Sequence, residues 1–291
     1  MTSARDTKRD YSEPAYAKFQ DRRACPFYRV NIDHRLAAET RELLEVYSKV
    51  SPERQSEHIH QIRDQAFDIR AYPCIGLGSW LTPQLRRLPI YPEILQRVKD
   101  GAFTMDVGTF IGHDLRRLVF DGAPSERLYG VDIVSHFKVG YDFFRDRETF
   151  KGHFIEADFL SDDSSELTAL KAKVDVIIIS QVLHQWDWDH QVSASVRLVA
   201  FSKSGTLVVG NQIGNVSAQE IALKDSLEVG QWRHNPESFA RMWTVVGEAT
   251  QTRWETQAWL RTFPEMGWDA SDASWMEDGV RVIEFVARRV A

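Results

Sequence analysis

The chain has 291 residues, 43% hydrophobic and 27% charged, which is ordinary for a globular protein and allows one large domain with an appendage or two small domains. Its net charge of −6 leaves no general basic surface for nucleic acid. No apolar run reaches the roughly eighteen residues of a transmembrane helix, so no membrane partner is expected.

The opening stretch, MTSARDTKRDYSEP, is polar and lacks the apolar core of a signal peptide. The two cysteines, Cys25 and Cys74, stand outside any CxxC or Cys/His cluster. A disulfide framework and a zinc site are therefore unsupported, and a reducing, cytoplasmic setting is expected. Residues 1–20 are either a tail or an arm that folds over something, with Tyr11 and Tyr16 as candidate lid residues. Residues 33–69 read as helical, with Leu36, Leu43, Leu44, Tyr47 and Val50 at helix spacing and Ser51-Pro52-Glu53 starting a second helix. Pro73, Gly76, Gly78 and Pro83 mark an irregular connection. A short helix over 92–99 ends at Asp100-Gly101. The division this predicts is an N-terminal arm and helical cap over residues 1–99 and a second domain over 100–291.

Beyond residue 100 short apolar runs alternate with amphipathic helices. The runs are FTMDV (103–107), LYGVDI (128–133), HFIEAD (153–158), VDVIIIS (174–180) and TLVVGNQ (206–212). Helices are predicted over 113–121, 135–147, 164–171 and 188–202. Strict alternation implies a parallel sheet, because parallel strands need crossover connections. A helix near 236–248 and strands near 254–260 and 281–289 follow, the last two suited to an antiparallel edge. The fold class is α/β: a Rossmann-like, mostly parallel seven-stranded sheet with helices on both faces and a helical cap.

Ligands of such sheets bind at the carboxyl ends of the strands. The first run ends in Asp106-Val107-Gly108-Thr109-Phe110-Ile111-Gly112, whose glycines allow a tight turn and close approach of a ligand. The second ends in Asp132, which suits the two hydroxyls of a ribose or else caps a helix. The third ends in Asp158-Phe159, which suits an adenine or else a turn. The fourth ends in Ser180-Gln181. Asp106, Asp132 and Asp158 are spaced 26 residues apart, one strand-helix unit each, and their conjunction points to a nucleoside cofactor. The glycine trio of dinucleotide sites is missing. Asp106 would repel a pyrophosphate and suit an ammonium, which favours S-adenosylmethionine.

The segments DVGTFIGHDLRRLVFDGAPSERLYGVDI (106–133), GYDFFRDRETFKGHFIEADFL (140–160), LHQWDWDHQV (183–192) and RHNPESFARMWTVVGEATQTRW (233–254) resemble fungal secondary-metabolite methyltransferases of the meroterpenoid type. The likeness spans about residues 70–263. It implies a class I methyltransferase, often a homodimer, that uses S-adenosylmethionine and methylates carboxylic acids of polyketide-terpenoid intermediates. On this resemblance Asp106, Gly108 and Gly112 hold the methionine part, Asp132 and Ile133 the ribose, and Asp158 and Phe159 the adenine. Thr109 and Gln185-Trp186 depart from the usual pattern, and the second departure bears on the acceptor pocket.

His184, just after the fourth strand end, is the candidate base, with packing beneath the sheet the alternative. A carboxylate acceptor needs no base, whereas a phenol or enol does. His234 and Arg233 are candidates to face the acceptor, and Arg233 would pair with a carboxylate. Asn235 and Pro236 are expected to start the next helix. Trp186, Trp188, Trp232 and Trp243 either wall an apolar acceptor pocket or pack in the core. Asp187 and Asp189 read as helix-start charges. No His/Asp pair with metal-ligand spacing stands near a strand end, so no metal is expected. The functions that compete with carboxylate methylation are phenol or enol O-methylation, a methyltransferase-like cyclase or isomerase that binds the cofactor without methyl transfer, and a non-catalytic subunit.

Overall fold

The structure is a computed structural model in which residues 22–25, 27–161, 164–221 and 230–291 are described. The lid residues Tyr11 and Tyr16 lie outside the described residues.

The N-terminal unit is helical because its apolar residues recur at helix spacing. Helix α1 (Ala38–Glu42) runs into a π-helical turn, Leu43–Tyr47. Helix α2 (Pro52–Ile69) opens on the proline, whose missing N–H is one no helix uses at that position. The connection that followed was expected to be irregular, yet it contains a short helix, α3 (Pro73–Leu77), closed by Gly78 in the left-handed region. Helix α4 (Tyr91–Lys99) leads to the sheet. The buried side chains of this unit, among them Leu44, Ile59, Ile62, Phe67 and Trp80, form one core with Ile111 and Phe143. The cap and the loop after the first strand are thus packed as one body.

Strands β1 (Thr104–Val107), β2 (Leu128–Asp132), β3 (His153–Glu156), β4 (Val174–Ile179) and β5 (Ser202–Asn215) are parallel. Helices α5 (His113–Phe120), α6 (Phe137–Phe144), α7 (Ser165–Thr168) and α8 (Trp188–Phe201) connect them. A two-stranded hairpin, β6 (Gln219–Ile221) with β7 (Gln231–Arg233), precedes α9 (Pro236–Thr250). Strands β8 (Trp254–Arg261) and β9 (Val280–Arg289) complete a seven-stranded sheet of order β3-β2-β1-β4-β5-β9-β8, with β9 antiparallel to both neighbours.

Alternation along the strands feeds two cores. Met105, Ile177, Val208 and Phe285 pack beneath Leu198, Phe239 and Trp243 of α8 and α9. Ile178, Leu207 and Val286 pack on the other face against Ile94, Leu115 and Leu118 of α4 and α5. Each such side chain contributes about 1.5–3 kcal/mol on burial. Helix α9 begins with a capping box in which the Asn235 side chain accepts from the Ser238 N–H, as the Asn-Pro pair predicts. The ladder between β5 and β9 outruns β4. Ile178 pairs with Val209, but β5 continues to Asn215, which pairs with Val280. One buried ion pair, Arg35 with Asp272, fastens the cap to the segment between β8 and β9. Among the described residues no helix is long and apolar enough to cross a membrane.

Candidate active site

The strand order reverses at β1, whose neighbours are β2 and β4. Such a reversal leaves a crevice at the carboxyl ends, because the connections leave to opposite sides. The turn after β1 is built for close approach. Gly108 has φ +73, and a Cβ there would meet Cγ2 of Val182 at 2.3 Å. Gly112, at φ +70, caps α5 and has no room for a side chain between Arg116 and Phe154. Between them Phe110 also takes a left-handed backbone, φ 54. Its N–H donates to Oδ2 of Asp132 at 2.8 Å, drawing the ends of β1 and β2 together.

The carboxylates at this junction are buried beside one another. Asp106 accepts the Thr109 hydroxyl at 2.7 Å. Burial pushes its carboxyl well above the usual range, and the charges of Asp114 and Asp132 push it further. Asp132 is raised to about 6, mainly by burial, although it accepts backbone N–H groups from Phe110 and Val134. Each of its oxygens keeps a second lone pair for a ligand. Ile133 beside it is exposed. Asp114, in the first turn of α5, is a residue the sequence reading passed over. The signal was there, an acid two residues after the second glycine.

Strand ends three and four are more engaged. Asp158 accepts the Leu160 N–H at 3.0 Å and the Ser161 hydroxyl at 2.6 Å, so it holds its own turn. Phe159 is buried with its ring against Phe201, at 5.5 Å between centroids, and it is the Phe159 carbonyl that meets Arg197. After β4, the Ser180 hydroxyl is buried with no hydrogen-bond partner among the described residues. Gln181, at φ 58, is anchored twice to Asn211 of β5, N–H to carbonyl and amide to amide, both at 2.7 Å. Asn211 in turn donates to Gln84 at 3.1 Å, tying this turn to the cap.

Beyond β4 lies an aromatic wall. Trp186 accepts the Trp232 N–H through its carbonyl at 2.8 Å, so the unexpected β6–β7 hairpin brings Trp232 onto Trp188, with ring centroids 5.3 Å apart. His234 packs on Trp188 at 5.5 Å and shares a 2.8 Å hydrogen bond with the Ser238 hydroxyl. Burial pushes both His184 and His234 down to about 3, helped by the cationic Arg233 and Arg241 respectively. Arg233 has its guanidinium committed to Glu277 at 2.8 Å, to Gln231 at 2.8 Å and to the His184 carbonyl at 3.1 Å. It braces the wall from behind. Trp243 is brought elsewhere: it is 1% exposed in the core beneath α9, against Trp254 at 4.4 Å.

A family described as meroterpenoid methyltransferase N-terminal domain matches residues 27–81, within the cap. The chain is 36% identical to the O-methyltransferase phiE of a fungal species, strain ATCC 74256, over 95% of this chain and 96% of that one. The chain belongs to the meroterpenoid-type methyltransferases. It is also 33% identical to the O-methyltransferase atr3 of Stereocaulon alpinum, over 86% of this chain and 72% of the relative. The Asnovolin E/Chermesin D methyltransferase nvfJ of Aspergillus novofumigatus is 39% identical over 58% of this chain and 62% of its own. Among solved structures, the 1,6-didemethyltoxoflavin-N1-methyltransferase of Burkholderia thailandensis with bound S-adenosylhomocysteine superposes with a TM-score of 0.51 at 13% identity, covering 83% of this chain and 92% of that one. This fixes the fold as class I, and S-adenosylmethionine is the cofactor of the family. The junction at β1 and β2 fits it. Among the described residues the charges that act on Asp106 come from the carboxylates of Asp114 and Asp132, and a sulfonium with an ammonium tail would supply a compensating positive charge.

Proposed function

We propose that this methyltransferase carries the methyl group of S-adenosylmethionine to a carboxylate of an apolar, polyketide-terpenoid-like molecule, forming a methyl ester. The observation that carries this reading is the state of the histidines at the wall. His184, in the turn after β4, and His234, at the end of β7, are both held neutral with pKa values near 3. An imidazole that weak is a poor general base at neutral pH. A carboxyl acceptor, with a pKa near 4, is already ionised and needs none. The relatives phiE and atr3, both named O-methyltransferases, support transfer to oxygen.

In this reading residues 100–291 hold the cofactor and residues 1–99 cover it. Asp106, Gly108 and Gly112 take the methionine end, Asp132 and Ile133 the ribose, and Asp158 and Phe159 the adenine. The bound cofactor supplies an electrophilic methyl. Ser180 and Gln181 border its sulfur, and the double anchor on Asn211 keeps that turn from moving. Trp186, Trp188 and Trp232 present an apolar wall, backed by the fully buried His234 against Trp188, that aligns the acceptor and excludes water. Alignment of this kind is worth about 7–11 kcal/mol of the barrier.

The test is turnover of S-adenosylmethionine with a panel of terpenoid acids and matched phenols, read by S-adenosylhomocysteine release and a mass gain of one CH₂. Methyl esters formed at a rate flat between about pH 6 and 9 are expected. Products on phenols alone, at a rate that climbs toward the phenol pKa near 10, would overturn the carboxylate reading.

A further inference from the structure

Two tryptophans of the wall come from parts of the chain far apart in sequence, Trp186 from the turn after β4 and Trp232 from β7. One buried side chain holds them both. Gln191 lies in the first turn of α8. Its Nε2 donates to the Trp186 carbonyl and to the Trp232 carbonyl, each at 2.9 Å. An amide nitrogen has two hydrogens, and both are used. The Trp186 carbonyl also accepts the Trp232 N–H at 2.8 Å, which fills its two lone pairs. On the other side, Oε1 of Gln191 accepts the Nε2 of Gln212 at 3.2 Å, and Gln212 stands on β5 opposite Ile283 of β9. Gln191 and Gln212 are both 0% exposed. The partners fix which way each amide faces. Turned over, Gln191 would set its oxygen against two carbonyl oxygens. Gln212 therefore has to present its nitrogen, although this leaves its Oε1 with no partner among the described residues.

One amide thus joins three elements: the turn after β4, strand β7 and the sheet at β5. We infer that Gln191 is a positioning residue for methyl transfer, which acts through Trp186 and Trp232 by fixing their distance from the sheet and from each other. The inference rests on the proposed reading of this wall as the acceptor's, and names what holds the wall in place. An apolar residue of the same length would fill the space but remove both donors, and a buried carbonyl that loses its donor is penalised beyond the bond itself. A bulky polycyclic acceptor spans both rings, whereas a small one reaches only part of the wall. A misplacement of about 1 Å costs up to about a hundredfold in rate, and here the cost falls on the acceptor that fills the wall.

Gln191→Met keeps the length of the side chain and removes all three bonds. Kinetics on the full chain would compare kcat/KM for two acceptors of one chemical class, a bulky polycyclic acid and a small monocyclic one, or the matching phenols if those are what the wild type methylates. In their ratio any inactive fraction cancels, so a merely structural defect leaves it unmoved. The ratio of bulky to small is expected to fall about tenfold or more, with a raised KM for the bulky acceptor. The Kd of S-adenosylhomocysteine, read by calorimetry, is expected to stay within about twofold of wild type. An equal loss on both acceptors, or an unchanged ratio, would overturn the assignment. Amide hydrogen exchange gives a second reading that needs no turnover. Protection is expected to drop in residues 183–191 and 231–234 alone, and a uniform drop or none would count against Gln191. Exchange therefore decides even if the wild type methylates neither acids nor phenols, a result that removes the proposed function and leaves the brace. If Gln191→Met loses its thermal transition, Gln212→Met decides. It frees the amide from β5 while leaving both wall bonds, so the ratio is expected to fall about two- to threefold, and an unchanged ratio overturns the inference.

Discussion

The two sides of the crevice are buried alike and shifted in opposite senses. At the β1–β2 end, burial raises Asp106 and Asp132; at the wall, burial lowers His184 and His234. One cause, desolvation of the charged form, drives every group toward neutrality. The chemical consequences differ. A positive charge would ionise the acids, and in the proposed reading a sulfonium cofactor brings it. The histidines are left neutral, which in the proposed reading suits an apolar acceptor beside them.

The comparison also divides the pH dependence of stability. Asp132 is raised from 3.8 to about 6, so its contribution is full below pH 3.8 and lost as pH rises through about 6. That is on the order of 3 kcal/mol. His184 and His234 are lowered from 6.5 to about 3, so their contribution is full above pH 6.5 and lost as pH falls toward 3.

The largest effect is expected from Glu277→Ala at the wall. It strands the Arg233 guanidinium without its carboxylate partner, at a cost of about 3 kcal/mol or more, and should lower the thermal midpoint by several degrees. An unchanged midpoint would mean that Arg233 is free for a ligand after all. On the acid side, Asp132→Ala should weaken S-adenosylmethionine binding by about 1.5–3 kcal/mol in calorimetry, and an unchanged dissociation constant would sink the ribose assignment. Wild-type affinity for the cofactor should rise about tenfold between pH 5 and 7.5 as Asp132 ionises, with proton release on binding. A flat profile would detach Asp132 from the cofactor. Asp106→Asn should raise the midpoint of the cofactor-free protein by a few degrees, since an amide cannot carry the charge that burial and the nearby Asp114 and Asp132 oppose, while weakening the cofactor. The smallest effect is expected from His184→Ala, a rate loss under about tenfold with no added pH dependence, because the proposed carboxylate acceptor needs no base. A large loss rescued at high pH would return His184 to the role of base.

Much of the sheet was legible in the sequence because local periodicity and tertiary burial agree there. The apolar run at Val174–Ile179, the carboxylates at strand ends and the capping residues Asp187 and Asn235 all stand where local pattern put them. Trp243 was legible too, had the stripe Phe239, Met242, Trp243, Val246 been weighed: it is the apolar face of one helix, and all four are buried. What was not legible is long in range. Strands β6 and β7 have three residues each, too few for a period. Arg233 meets Glu277 from 44 residues away, and no spacing rule announces that pairing. Trp80 and Arg117 share a cavity only because the cap packs onto α5.

The ion pair between Arg35 and Asp272 joins positions 237 residues apart and is almost fully buried. A chain made from its N-terminus therefore carries Arg35 without its partner through nearly the whole of synthesis. Burying that guanidinium alone would be costly, so the Arg35 corner of the cap is expected to seat only after the segment between β8 and β9 has left the ribosome.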